Sequence, residues 1–284
     1  MVMFVAIADA PWEDADNARR YAEFARRYPM YRLTSEHLVG LAVLAPDARV
    51  VDLCCGTGVT TEAVLAVLGA RGSVVAVDSA AAMLSEARSR VVDERVRWVR
   101  GQAEDLAAVP AAGVDAVLCN QAFWQTSMPA AAVSVRGVLR EGGRLVFNVA
   151  AQMLADRPEA RTSPDPLIVT MREVAAREHG WAASAPRAER HLRRRLSEGA
   201  IRDLLARAGL RVDEVRELRW EQSLEERYAW LTVPVFARRL FDGLPYPECM
   251  TLLAKAHRDV AVVHPETRTA TTLAFVATAE HTSA

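Results

Sequence analysis

The chain has 284 residues, 51% of them hydrophobic and 25% charged, with a formal net charge of -1. That length supports one large domain, or one domain with an added cap, well above the size at which cores become marginal. The near-neutral balance excludes a general polyanion binder, whose phosphate contacts need surplus basic charge.

Residues 16–28 read as a helix, with Ala18, Tyr21, Ala25 and Tyr28 on one face and Pro29 ending it. A second helix is expected over 35–44, with Ser35 as N-cap. A strand–helix rhythm then begins. Strands are expected at 50–53, 73–78, 96–99, 114–119 and 144–149, and helices at 59–68, 80–91 and 130–139. Such alternation implies a parallel sheet covered on both faces. After Ala150 the rhythm breaks, and one helix is expected near 165–178. The pattern returns with a helix at 197–208 and a strand at 211–218. Ser223 and Glu226 read as a capping box for a helix to about 240. Pro247 opens another helix to about 260, and 271–278 is the final strand. Segments 151–195 and 221–267 read as additions that cover one end of the sheet.

No stretch reaches the roughly 20 apolar residues of a membrane span. Residues 1–10 are apolar without a basic flank, a poor signal peptide, and 1–12 leave open an arm exchanged between subunits or a disordered tail. Cys54, Cys55, Cys119 and Cys249 form no C-x-x-C pair, which argues against zinc and a disulfide framework. They read as buried small hydrophobes in a reducing cytoplasm. No metal site is signalled.

The strongest motif is V-V-D-L-C-C-G-T-G at 50–58. A buried strand runs into a glycine turn that opens a helix. Glycine lets backbone approach a ligand without a Cβ clash, and free N–H groups at a helix start suit a carboxylate or a phosphate. Asp78 ends the next strand, about 20 residues on, where an acidic side chain can take both ribose hydroxyls of an adenosine. Its other reading is an N-cap for the following helix.

These residues, D-L-C-C-G-T-G followed by V-A-V-D, resemble the class I S-adenosylmethionine (SAM)-dependent methyltransferases, nearest to the small-molecule, quinone and natural-product type. The resemblance covers about residues 35–150. It implies a doubly wound, mostly parallel seven-stranded α/β sheet of Rossmann-like form, with an α-helical cap inserted late in the chain. In these terms 1–45 roofs the site, 46–150 binds SAM, and 151–284 completes the sheet and supplies the cap. The cofactor contacts it implies are Asp52, Cys54, Gly56, Thr57 and Gly58 at the turn, Asp78 and Ser79 at the ribose, and Met83 against the adenine. Gln102, Ala103 and Glu104 would meet the adenine edge, and Asn120 and Gln121 the methionine part. Glu141 stands where the family usually has proline, and Cys54 where it has a small Gly or Ala. A dinucleotide dehydrogenase would put its third glycine where Thr61 stands.

The chemistry beyond the cofactor is thinner. A weakly acidic nucleophile needs a general base, and His37 and His257 are the candidates, each more readily read as a satisfied helix histidine. His264, Glu221 and Tyr228 are further possibilities. Phe123 and Trp124 would stack on a flat substrate or pack in the core, and Tyr21, Tyr28 and Tyr31 could roof the same cleft. Trp181, Trp220 and Trp230 suggest an apolar cavity in the additions. Arg187, Arg190 and Arg193–Arg195 form a basic run that reads as a solvated face or an attractor of acidic substrate.

The expected function is methyl transfer to a small, largely apolar organic molecule in natural-product or antibiotic biosynthesis, with S-adenosylhomocysteine as product. The protein is expected to be cytoplasmic, a monomer or homodimer, without nucleic-acid or membrane partners. The alternatives are a SAM-binding cyclase that transfers no methyl and a SAM-binding partner subunit without chemistry.

Overall fold

In the computed structural model, residues 11–110, 113–161, 165–180, 196–241, 244–264 and 267–280 are described. Residues 1–10, Trp181 and the arginine run at 187–195 lie outside them. The chain divides into two compact units: Met1–Ala151 with Ser197–Leu218 and Thr272–Ala284, and Gln152–Leu196 with Arg219–Thr271.

The first unit opens with α1 (Ala15–Arg27) and α2 (Met30–Ala42). Asp14 caps α1, accepting from the Asp16 and Asn17 amides. The second helix starts at Met30, not at Ser35. Pro29 breaks the chain between the two helices, and its carbonyl takes the Leu33 amide at 2.8 Å. Ser35 is therefore interior, fully buried, and bonded to Thr60 rather than to its own helix start.

The βα units follow as β1 (Arg49–Leu53), α3 (Val59–Leu65), β2 (Ser73–Asp78), α4 (Ala81–Arg90), β3 (Val96–Arg100), β4 (Val114–Cys119), α5 (Met128–Val138) and β5 (Leu139–Ala150). After them come α6 (Pro166–His179), α7 (Glu198–Arg207), β6 (Leu210–Gln222), α8 (Leu224–Leu231), α9 (Pro234–Leu240), α10 (Tyr246–Val263) and β7 (Arg268–Ala279). The helix expected from Ser223 to 240 is thus two helices. Pro234 cannot donate the amide that would continue α8, so it begins α9 instead. The Ser223 hydroxyl does cap α8, accepting from the Glu226 amide at 3.1 Å.

The sheet has seven strands in the order β3-β2-β1-β4-β5-β7-β6. It is mixed: the first five strands pair in parallel, while β5 and β7 pair antiparallel with Val146 opposite Val276. Strand order reverses between β1 and β4, the crevice at which open α/β sheets bind ligands. Val50, Val74, Ala116, Leu118, Val146 and Ala274 bury one face of the sheet with Leu38, Val39 and Val64. This face fixes α2 and α3 against the strands whose ends carry the motifs.

The second unit has its own core. Leu167, Met171 and Val174 of α6 pack with Leu224, Leu231, Leu252, Leu253 and Ala256 of α8 and α10. Asp165 caps α6, accepting the Leu167 amide at 2.9 Å.

Candidate cofactor and active site

At the end of β1 the backbone enters the left-handed region three times, at Cys54 (φ 54°), Gly56 (φ 53°) and Gly58 (φ 84°). Glycine adopts this region at little cost, whereas an L side chain pays about 1–2 kcal/mol. Cys54, in the family's small-residue position, therefore carries strain at the turn. A hydrogen bond with Cys119, then burial, pushes its thiol well above the usual range. Cys55 is likewise raised by burial. A raised thiol pKa disfavours the reactive thiolate.

Asp78 holds this turn. Its Oδ2 accepts the Gly56 amide at 2.8 Å and its Oδ1 the Ala80 amide at 2.9 Å. The capping reading of Asp78 is thus part of its role.

Beneath the turn lies Asp52, 1% exposed. Its Oδ2 accepts from the Thr61 hydroxyl at 2.6 Å, while Oδ1 has no hydrogen-bond partner. Burial raises its carboxyl to about 7 against the lowering effect of Thr61, and the charge of Asp78 adds to the rise. The hydroxyl of Thr57, also 1% exposed, is unpartnered as well. Buried polar atoms without partners are rare. An orphaned carboxylate oxygen and an orphaned hydroxyl beside a glycine turn fit the ammonium and carboxylate of an amino-acid moiety. The residues present fit SAM.

Met83 is buried with Ala18 and Ala80, and Trp12 and Tyr21 pack against them. Its Cε would lie 3.6 Å from a Cβ at position 56. Tyr21 contacts Trp12 edge-on at 5.8 Å and Tyr31 at 4.9 Å between centroids. Burial raises its hydroxyl well above the usual range, with Tyr31 and the Asp78 charge contributing. Tyr21 thus belongs with Met83 and Asp78. Glu13 fastens the segment before α1 to this region, accepting the Ala81 amide at 3.0 Å and pairing with Arg100 at 2.8 Å. Arg100 also donates to the Ser79 carbonyl.

The other expected residues have the following surroundings. One Glu104 oxygen accepts the Ser127 amide ahead of α5. Gln102 is exposed and Ala103 buried. Asn120 spends its amide on Tyr31, Thr34 and Ser35 of α2, and Gln121 stands at φ 57°. Phe123 is fully buried, 4.6 Å from Phe147, which stacks on Phe275 at 5.1 Å. It packs in the core, the second of its two readings from the sequence. Trp124 is half-buried, with a buried, unpartnered indole N–H. Tyr31 is buried at 6% exposure between Tyr21 and Phe24.

His37 lies on α2, half-buried, with Nδ1 buried and unpartnered. Burial lowers its pKa, so it is neutral at pH 7. His257 belongs to the second unit, where its Nε2 lies 3.0 Å from Glu225 Oε1 and its ring 4.4 Å from Tyr228. Glu221 accepts from Thr267 and Thr269. Local partners account for Glu221, whereas the His257 Nε2 is buried and makes no hydrogen bond to its neighbour. Sequence reading missed Thr60, Trp12, Glu13 and Asn148. For Asn148 the signal was present as a lone amide inside the apolar run 145–149.

Among the described residues, no helix is long and apolar enough to cross a membrane, and no group of three or more His, Cys, Asp or Glu side chains could hold a metal.

A family model described as a methyltransferase domain matches residues 50–143. The chain is 35% identical to a ubiquinone biosynthesis O-methyltransferase of Xanthomonas campestris over 51% of this chain and 58% of that protein. It therefore spans less than two thirds of that relative. It is also 35% identical to a trans-aconitate 2-methyltransferase of Variovorax paradoxus, over 66% of this chain and 68% of the relative. Among solved structures, geranyl diphosphate C-methyltransferase from Streptomyces coelicolor has a TM-score of 0.51 at 16% identity, covering 87% of this chain and 78% of that one. The cyclase SpnF has a TM-score of 0.54 at 17% identity, covering 88% and 82%. These structural likenesses speak to the fold.

Proposed function

This chain belongs to the class I SAM-dependent methyltransferases, and from that premise we propose that it methylates a small, largely apolar organic molecule. The observation that carries the cofactor end of this reading is the pair of orphaned polar atoms, Asp52 Oδ1 and Thr57 Oγ1, beside a glycine turn pinned by Asp78. Bound SAM supplies a methyl group on a sulfonium, which a nucleophile takes in line.

The chain's own residues position and exclude. Asp52 takes the ammonium of the methionine part, and Thr57 with the amides of the turn takes the carboxylate. Asp78 accepts from the ribose hydroxyls. Met83 covers one face of the adenine, with Gln102, Ala103 and Glu104 at its edge. His37, neutral and with one nitrogen unpartnered, removes the proton of the acceptor. Trp124 lends its indole to the substrate. The protein works in the cytoplasm as a monomer or homodimer, without nucleic acid, on a secondary metabolite.

The test is incubation with methyl-labelled SAM and a panel of phenols, hydroquinones and small carboxylic acids. Label transfer with equimolar S-adenosylhomocysteine supports the reading. A converted substrate with no S-adenosylhomocysteine formed would move the assignment to a cyclase.

A further inference from the structure

A chain of buried and half-buried amides and hydroxyls runs through the first unit. Asn148 of β5 is fully buried. Its Oδ1 accepts the Gln121 amide at 2.6 Å, and its Nδ2 donates to Asn120 Oδ1 at 2.9 Å. Asn120 Nδ2 in turn donates to Ser35 Oγ at 2.9 Å, Thr34 Oγ1 at 3.0 Å and the Tyr31 carbonyl at 3.3 Å. The Ser35 hydroxyl meets that of Thr60, in the first turn of α3, at 2.9 Å. β5, the turn after β4, α2 and α3 share one network.

Its direction is fixed at both ends. The Gln121 amide can only donate, and the Tyr31 carbonyl can only accept. Each side-chain amide between them therefore has one orientation, and neither asparagine can be replaced by aspartate without two acceptors facing each other or a charge being buried. The network also meets a strained point. Gln121 has φ 57°, a region few side chains other than Asn, Asp and Gly adopt readily. The short bond from its amide to Asn148 holds it there.

We propose that Asn148 is a positioning residue for the cofactor site. It holds the Asn120–Gln121 turn in its left-handed conformation and, through Asn120, seats α2 with His37 against the first turn of α3. Asn148 touches no ligand in this role. The inference rests on the reading that SAM lies between the glycine turn and the Asn120–Gln121 turn.

The test measures binding of S-adenosylhomocysteine by calorimetry, with melting temperature alongside, for the parent, Asn148→Ala, Asn148→Asp, Gln121→Gly and the double variant Asn148→Ala/Gln121→Gly. The expected result is a loss of roughly tenfold in affinity for Asn148→Ala, the scale of one buried partner removed. Asn148→Asp, nearly the same shape, loses at least as much. Because glycine adopts the left-handed region unaided, the double variant loses less than the two single losses combined. A merely structural role predicts lower melting temperatures with unchanged affinity, or strictly additive losses, and either overturns the proposal. A parent that fails to bind S-adenosylhomocysteine overturns the cofactor reading, and the proposal with it. Should the Asn148 variants not fold, amide exchange on the parent decides. Slower exchange of Gln121 together with 31–35 on adding S-adenosylhomocysteine supports the proposal, and unchanged exchange there overturns it.

Discussion

The Asp78 carboxylate, at the end of β2, accepts the Gly56 amide at 2.8 Å across 22 residues of sequence. One side chain thus shapes the glycine turn and, in the proposed reading, also accepts from the ribose hydroxyls. Replacing Asp78 by alanine removes both functions. The expected cost in SAM affinity is about 1.5–3 kcal/mol, the range for hydrogen bonds to a charged group, which titration calorimetry reads directly. Asparagine keeps an acceptor for Gly56 but loses the charge, and should fall between parent and alanine.

Asp52 gives the site a pH dependence. Its folded-state pKa of about 7 lies above the ordinary 3.8. A raised carboxyl contributes stability that is complete below about 3.8 and is lost as pH rises through about 7. The parent should therefore lose stability relative to Asp52→Asn across that window and run level above it. Binding works in the opposite sense, because an ammonium ligand favours the ionised carboxylate. SAM affinity should weaken as pH falls below 7, with proton release visible as a buffer-dependent heat. An affinity that is flat between pH 5 and 8 contradicts the pairing.

Cys54 occupies a left-handed position without being glycine. Cys54→Gly relieves that strain but gains unfolded-state freedom and loses the contact with Cys119, so its unfolding free energy should lie within about 1 kcal/mol of the parent. Cys54→Val puts a β-branched side chain there and should cost about 1–3 kcal/mol. Urea denaturation distinguishes the two.

His37→Gln should lower kcat by about a hundredfold or more, the lower end of general-base effects, while SAM affinity stays unchanged. Since burial holds the histidine below its usual pKa of 6.5, the acid limb of the parent's kcat profile should lie below pH 6.5 and vanish in the variant. An unaltered profile removes His37 from the chemistry.

Much of the fold was legible because its signals are local. The apolar runs at 50–53, 73–78 and 114–119 alternate with helix-period stretches, and that alternation alone implies a parallel sheet with covered faces. The glycine turn and Asp78 were legible for the same reason, since conformational freedom at Gly56 and Gly58 and a strand-end carboxylate are properties of the residues themselves. What was misjudged depended on distant partners. Ser35 looks like an N-cap in sequence, but Pro29 starts the helix earlier and Thr60, 25 residues on, takes its hydroxyl. Phe123 is readable from the sequence as a pocket or a core aromatic, and Phe147 and Phe275, from two other strands, are what place it in the core.

By itself the sequence determined the βα order, the strand that feeds the glycine turn and the residue types of the cofactor site, because backbone freedom, periodicity and charge travel with each residue. Only the tertiary structure decided that β7 runs antiparallel to β5, that Asp52 is buried with one oxygen orphaned, and that Asn148 commands Gln121 and Asn120. Those properties arise when strands far apart in sequence become neighbours, since burial, pKa and hydrogen-bond direction are set by what packs beside a group.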